Sequence, residues 1–169
     1  SVQQGRINKT KWYFLERESF LNQLRIEIKR HILRCKKNGF KPAIRLNGTS
    51  DIDWNIHGLY EEFKQVKFYD YTKIYKRALK YVKKEYPKNY HLTYSLNEDN
   101  KAQAKYILKR GGNISAVFRT KKLPKRFLNY KVFNGDNSDL RFNDPKNVIV
   151  GLYAKGRALK DNTGFVQDV

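Results

Sequence analysis

The 169-residue chain has one cysteine, no methionine and four prolines, and only 16 acidic residues stand against 36 basic ones. The lone Cys35 excludes an internal disulfide, and with it any zinc or iron–sulfur site built from several cysteines within these residues. No apolar run approaches the roughly 18 residues that a membrane-spanning helix requires. Ser1-Val2-Gln3-Gln4-Gly5-Arg6 is not followed by the apolar stretch of a secretory signal. These absences make the host cytoplasm the expected compartment and leave no membrane partner. Neither G-x-x-x-x-G-K-[ST] nor G-x-G-x-x-G occurs, and there is no H-E-x-x-H, nucleophile elbow or zinc spacing, so no familiar nucleotide or catalytic fingerprint applies. His31, His57 and His91 are scattered. The missing methionine leaves two expectations open: removal of an initiator before a small serine, or trimming from a longer product that has a segment ahead of this one.

What the chain does have is a core and a charge. Hydrophobic residues make up 40% and aromatics 14%, with 12 Tyr and 10 Phe, too many for a disordered chain. The length suits a single α/β domain over 1–169, with a basic helical segment at 1–41 and a strand/helix repeat over 42–169. The formal net charge of +20 points to a polyanion, with nucleic acid the usual one and an acidic host protein the alternative. The excess is uneven. Arg119, Lys121, Lys122, Lys125, Arg126 and Lys131 crowd one acid-free stretch, whereas Asp51, Asp53, Asp136, Asp139 and Asp144 gather in two loop regions.

Residues 18–37 read as a helix, with Leu21, Leu24, Ile28, Ile32 and Cys35 on one face and most of the cations on the other. Asn38-Gly39 supplies its stop. After it, short apolar runs alternate with polar loops and amphipathic helices. Runs at 42–46, 66–69, 90–94, 114–118, 130–133 and 148–152 read as strands. Helices are expected near 55–63, 75–85 and 99–110, with Gly111-Gly112 ending the last. This repeat predicts a mainly parallel sheet or a partial TIM-like barrel, whose strand carboxyl ends gather the site on one edge. After the fourth run no clear helix separates the strands.

Four polar stretches fall at those ends. In Arg45-Leu46-Asn47-Gly48-Thr49-Ser50-Asp51-Ile52-Asp53, the arginine inside an apolar strand requires a partner, and Asp70 is the expected one. Asn47 and Asp51 then hold phosphate or metal, unless the stretch is only a turn and a helix cap. Asp70 and Lys73 leave the second strand and either orient a phosphate or poise a base, the alternative being capping by Thr72 over core tyrosines. Asp136, Asn137 and Asp139, with Gly135 and Arg141 nearby, resemble a Mg²⁺ or Ca²⁺ loop without EF-hand order, or simply a turn. Lys155-Gly156 ends the last run in a form suited to phosphate contact.

Arg45-Leu46-Asn47-Gly48-Thr49-Ser50-Asp51, Phe68-Tyr69-Asp70-Tyr71-Thr72-Lys73, and Asp139-Leu140-Arg141-Phe142 with Val148-Ile149-Val150-Gly151-Leu152 together resemble the bacteriophage and mobile-element family grouped with phage gene product eighty-eight. The resemblance spans roughly 6–166. It implies a phage or plasmid origin, a radical-enzyme-like barrel and, in longer members, a Cys-bearing segment ahead of the region that starts here. No such cluster lies in this chain, so no iron–sulfur cofactor is expected within it.

The expected function is a basic nucleic-acid-binding protein. Arg45, Asn47, Lys73, Arg119, Arg141 and Lys155 would bind phosphate, while Asp51, Asp70, Asp136 and Asp139 would hold Mg²⁺ or Mn²⁺ or orient the arginines. The alternatives are a metal-dependent phosphodiesterase using those carboxylates and an inhibitor of a host defence or nucleic-acid enzyme.

Overall fold

The computed structural model describes residues 1–120 and 122–169; Lys121 of the basic stretch lies outside the described residues. The chain separates into two compact units, Ser1–Pro42 and Ala43–Val169. The first unit is helical. Helix α1 (Val2–Leu15) begins at Ser1, whose hydroxyl accepts the Gln4 amide, and α2 (Arg17–Lys37) follows after a break at Glu16. The break is held by rings: Trp12 and Tyr13 meet Phe20 edge-on at 5.2 and 5.5 Å. In α2 the buried residues are Leu21, Ile28 and Cys35, which are members of the stripe read from the sequence. Cys35 Sγ lies 3.5 Å from His31 Nε2, one turn earlier.

The second unit is a sheet. Its strands are β1 (Ala43–Ile44), β2 (Lys67–Thr72), β3 (Tyr90–Ser95), β4 (Asn113–Phe118), β5 (Arg126–Phe127), β6 (Tyr130–Asn134), β7 (Ile149–Tyr153) and β8 (Val166–Gln167). The order is β1-β2-β3-β4-β7-β6-β5, parallel except for the β5–β6 hairpin, and β8 joins β4 at Val117–Val166. The path has two ends, so the sheet is open and not closed into a barrel, and it is the mainly parallel sheet of the two expected forms that is seen. Strand–helix alternation is regular only over β2, α4 (Tyr75–Val82), β3, α5 (Lys101–Lys109) and β4. Between β1 and β2 it shrinks to a 3₁₀ turn and the four-residue α3 (Leu59–Glu62), and beyond β4 it stops.

Alternation along the strands divides the sheet into two unlike faces. Tyr94 and Leu96, Ile114, Ala116 and Phe118, and Ile149 form one buried cluster with Ala78 of α4 and Ala104, Ile107 and Leu108 of α5. Helix α5 ends cleanly because Gly111 adopts φ +82°, which lets the Gly112 amide reach back to the Ile107 carbonyl at 3.0 Å. The intervening positions point the other way: Thr93 pairs in register with Asn113, and Ser95 with Ser115. One face of the sheet is therefore apolar and helix-covered, and the other, the polar face, sets Thr93, Asn113, Ser95 and Ser115 among Val117, Val150 and Leu152. The strand carboxyl ends rise from the border between them.

Candidate functional site

A cavity of about 450 Å³ opens at this edge, lined among others by Arg45, Tyr71, Lys73, Ser95, Ser115, Asp139 and Phe165. Each arrives for a local reason. Ile44 pairs with Phe68, so Arg45 falls one residue further, beside Tyr69 and on the polar face. Its guanidinium lies 4.7 Å from the centre of the Tyr71 ring and 3.6 Å from Asp139 Oδ2. Ser115 Oγ donates to Ser95 Oγ at 3.3 Å on the cavity floor. Lys73 leaves the end of β2 and sets its ammonium 5.1 Å from the centre of the Phe165 ring, just ahead of β8. Two cations are thus seated on two aromatic faces, with Asp139 also facing Arg45.

Acidic residues restrain the rim. The Tyr69 hydroxyl donates to Asp139 Oδ2 at 3.4 Å. Asp136 accepts the Tyr153 amide at 2.7 Å and the Lys155 ammonium. Burial alone would raise its pKa, but these donors outweigh burial and hold its carboxyl below the usual range. Burial, with the Asp139 charge adding to it, pushes the Tyr71 phenol up to about 12, so it stays a neutral donor at ordinary pH.

Other residues picked from the sequence lie elsewhere. Asp70 does not pair with Arg45: it occupies the alternate position of β2, on the side of Phe68 and Thr72, where it is 1% exposed. There it accepts the Asn47 amide at 2.9 Å and Asn47 Nδ2 at 3.1 Å. Burial is the largest influence on it and lifts its pKa to about 6. Asn47 is itself buried, and its Oδ1 accepts from Ser50 Oγ, the Ile52 amide and Trp54 Nε1. That saturated loop hub leaves no donor for a phosphate. Asp51 accepts Thr72 Oγ1 at 2.7 Å, the Lys73 amide at 2.9 Å and the buried Arg77 guanidinium, tying the first loop to α4. Asp53 caps the following 3₁₀ turn through the Asn55 amide.

Two expected phosphate ligands are also corrected. Arg141 is 0% exposed; it lies under the polar face with Nη2 donating to the Gly135 carbonyl at 3.0 Å and Nη1 beside Asp144. A solvated phosphate does not reach it. Arg119 spends its guanidinium on the carboxyl-terminal segment, donating to the Leu159 and Asp161 carbonyls at 2.8 and 2.7 Å and to Asp168. The four aspartates proposed as metal ligands are divided between the two faces and are held by separate partners. Among the described residues no group of three or more His, Cys, Asp or Glu is placed to hold a metal ion. Of the ten residues proposed for the site, Arg45, Lys73, Asp136 and Asp139 line the cavity, and Lys155 is tied to one of them.

Sequence reasoning overlooked Ser95, Ser115 and Phe165 as cavity residues. Period-two alternation in Tyr90–Ser95 and Asn113–Phe118 carried the signal for the two serines, since it sets polar residues opposite Tyr94, Ile114 and Phe118. Phe165 had no local signal.

Fold and site together define a mixed α/β protein with an open, mainly parallel sheet and a cavity at the strand carboxyl ends. The chain belongs to the Gene product 88 family, whose sequence model matches residues 1–169. Comparison with curated proteins and with solved structures finds no match. Among the described residues no helix is long and apolar enough to cross a membrane.

Proposed function

We propose that this is a basic nucleic-acid-binding protein of phage or mobile-element origin, acting in the bacterial cytoplasm, with the strand-end cavity as its specific contact. The observation that carries this reading is the pair of cations, Arg45 over Tyr71 and Lys73 over Phe165, on a chain with net charge +20. Among the described residues no carboxylate pairs with the Lys73 ammonium, and Arg45 meets Asp139 at 3.6 Å, beyond a close charge-assisted hydrogen bond. The Lys73 charge is thus open to phosphate oxygens, and Arg45 has a long contact with Asp139 to exchange for one. Metal-dependent cleavage finds no comparable support, because Asp51, Asp70, Asp136 and Asp139 do not converge.

The test is affinity of the full chain for labelled DNA and RNA across a salt series. Counterion release makes log affinity fall linearly with log salt, and Arg45→Ala and Lys73→Ala should each lower the slope by about one. A flat dependence, or no binding at low salt, overturns the proposal.

A further inference from the structure

Resting on that reading, we infer that the cavity takes one unpaired nucleotide, so that the protein selects single-stranded over double-stranded nucleic acid. The volume of about 450 Å³ lies within the ~300–1,000 Å³ of small-molecule sites. It suits one nucleotide and not a stacked base pair. The lining matches the parts of a nucleotide. Lys73 and Arg45 offer positive charge at the strand ends, as a phosphate requires. Tyr71 and Phe165 offer rings, and Arg45, already seated on Tyr71, adds a planar guanidinium of the kind on which unpaired bases stack. Leu96, Val117 and Leu152 supply an apolar wall. The floor is polar, with the Ser95 and Ser115 hydroxyls, and the Asp139 carboxylate stands at the rim, all at hand for base or sugar edges.

A duplex cannot use such a site. Its bases are stacked on one another and show only their edges in the grooves, so rings recessed in a cavity find no base face to meet. A strand with splayed bases presents both a face and its flanking phosphates. Surface lysines alone would bind either form through the backbone, and the added contribution of the cavity is therefore specific to the single strand.

The experiment compares four oligonucleotides of equal length with the full chain at one salt concentration: single-stranded DNA, single-stranded RNA, the matching duplex, and a strand with the same phosphates but abasic sugars. Base-bearing single strands should bind about ten-fold or more tightly than the abasic strand, the size expected for stacking of one base, and more tightly than the duplex. Tyr71→Ala and Phe165→Ala should each erase most of that advantage. Phe165 lies outside the β2 core, so its variant keeps the test sound if Tyr71→Ala does not fold, as judged by circular dichroism. Equal affinity for base-bearing and abasic strands, or for strand and duplex, overturns this inference and leaves nucleic-acid binding standing. Absence of salt-sensitive binding to all four overturns both.

Discussion

Arg141 and Asp144 bury an ion pair three residues apart, with Nη1 3.2 Å from Oδ2 and the two side chains 0% and 3% exposed. The contact has the distance of an ion pair without the direction of a hydrogen bond, for neither atom has a hydrogen-bond partner. Burial is the largest influence on Asp144 and raises its pKa, with the Arg141 charge pulling the other way. Removing one partner leaves the other charge buried alone. Asp144→Ala is therefore expected to cost about 3–5 kcal/mol in urea unfolding. The double variant Arg141→Met/Asp144→Leu should recover most of that loss. Additive losses would show that the pair does not act as a unit.

Asp51 holds a loop to a helix. Its carboxylate accepts from Thr72, from the Lys73 amide and from Arg77, whose side chain is nearly buried. Asp51→Ala should destabilise the protein by about 2–4 kcal/mol, through the orphaned Arg77 charge and the lost hydrogen bonds. The loss should be the same with and without added Mg²⁺. A stabilising effect of Mg²⁺ that the variant lacks would restore a metal role for this aspartate.

Asp70 and His91 give opposite acid responses. The buried Asp70 carboxyl, with pKa lifted from 3.8 to about 6, retains its proton in the folded state where the unfolded chain has lost it. Its stabilisation is complete below pH 3.8 and is lost as pH rises through 6, by about 3 kcal/mol in all. Burial, with the Arg141 charge adding to it, lowers the His91 pKa from 6.5 to about 4. Its contribution is present above pH 6.5 and is lost as pH falls through 4, by up to about 3 kcal/mol. Between pH 4 and 6 the two nearly cancel. In Asp70→Asn, unfolding midpoints should fall as pH drops through this window, and in His91→Gln they should rise. Two variant curves running parallel to the wild type would refute the assignment.

Lys73 and Arg119 separate binding from scaffolding. Lys73→Ala should reduce the salt slope of nucleic-acid affinity by about one. Arg119→Ala should not change it, because its guanidinium already serves Leu159, Asp161 and Asp168. It should instead expose the carboxyl-terminal residues to carboxypeptidase, since the side chain helps to hold β8 beside β4. The reverse pattern would exchange their roles.

The strands and helices of 66–118 were legible because each has its own period, and so was the α2 stripe. Strands β5 and β8 were not, since two residues contain no period, and within the helical segment expected over 1–41 the limits of α1 were not legible, because its apolar residues form no stripe and only Tyr13 is buried. In the site, closeness along the chain was legible but parity was less so. Asp70 and Tyr71 are neighbours in sequence, yet one lies beneath the helices and the other lines the cavity. The mistaken pairing of Arg45 with Asp70 came from that one-residue difference. Arg141 was misplaced for another reason: nothing near Asp139-Leu140-Arg141-Phe142 marks a guanidinium that burial removes from solvent.

The two-faced sheet also bears on how this protein can diverge. Helices α4 and α5 grip only one set of alternating side chains, so Ser95 and Ser115 can be exchanged without disturbing what α4 and α5 rest on. Selectivity for what enters the cavity is then free to drift between relatives while the scaffold beneath it stays recognisably the same.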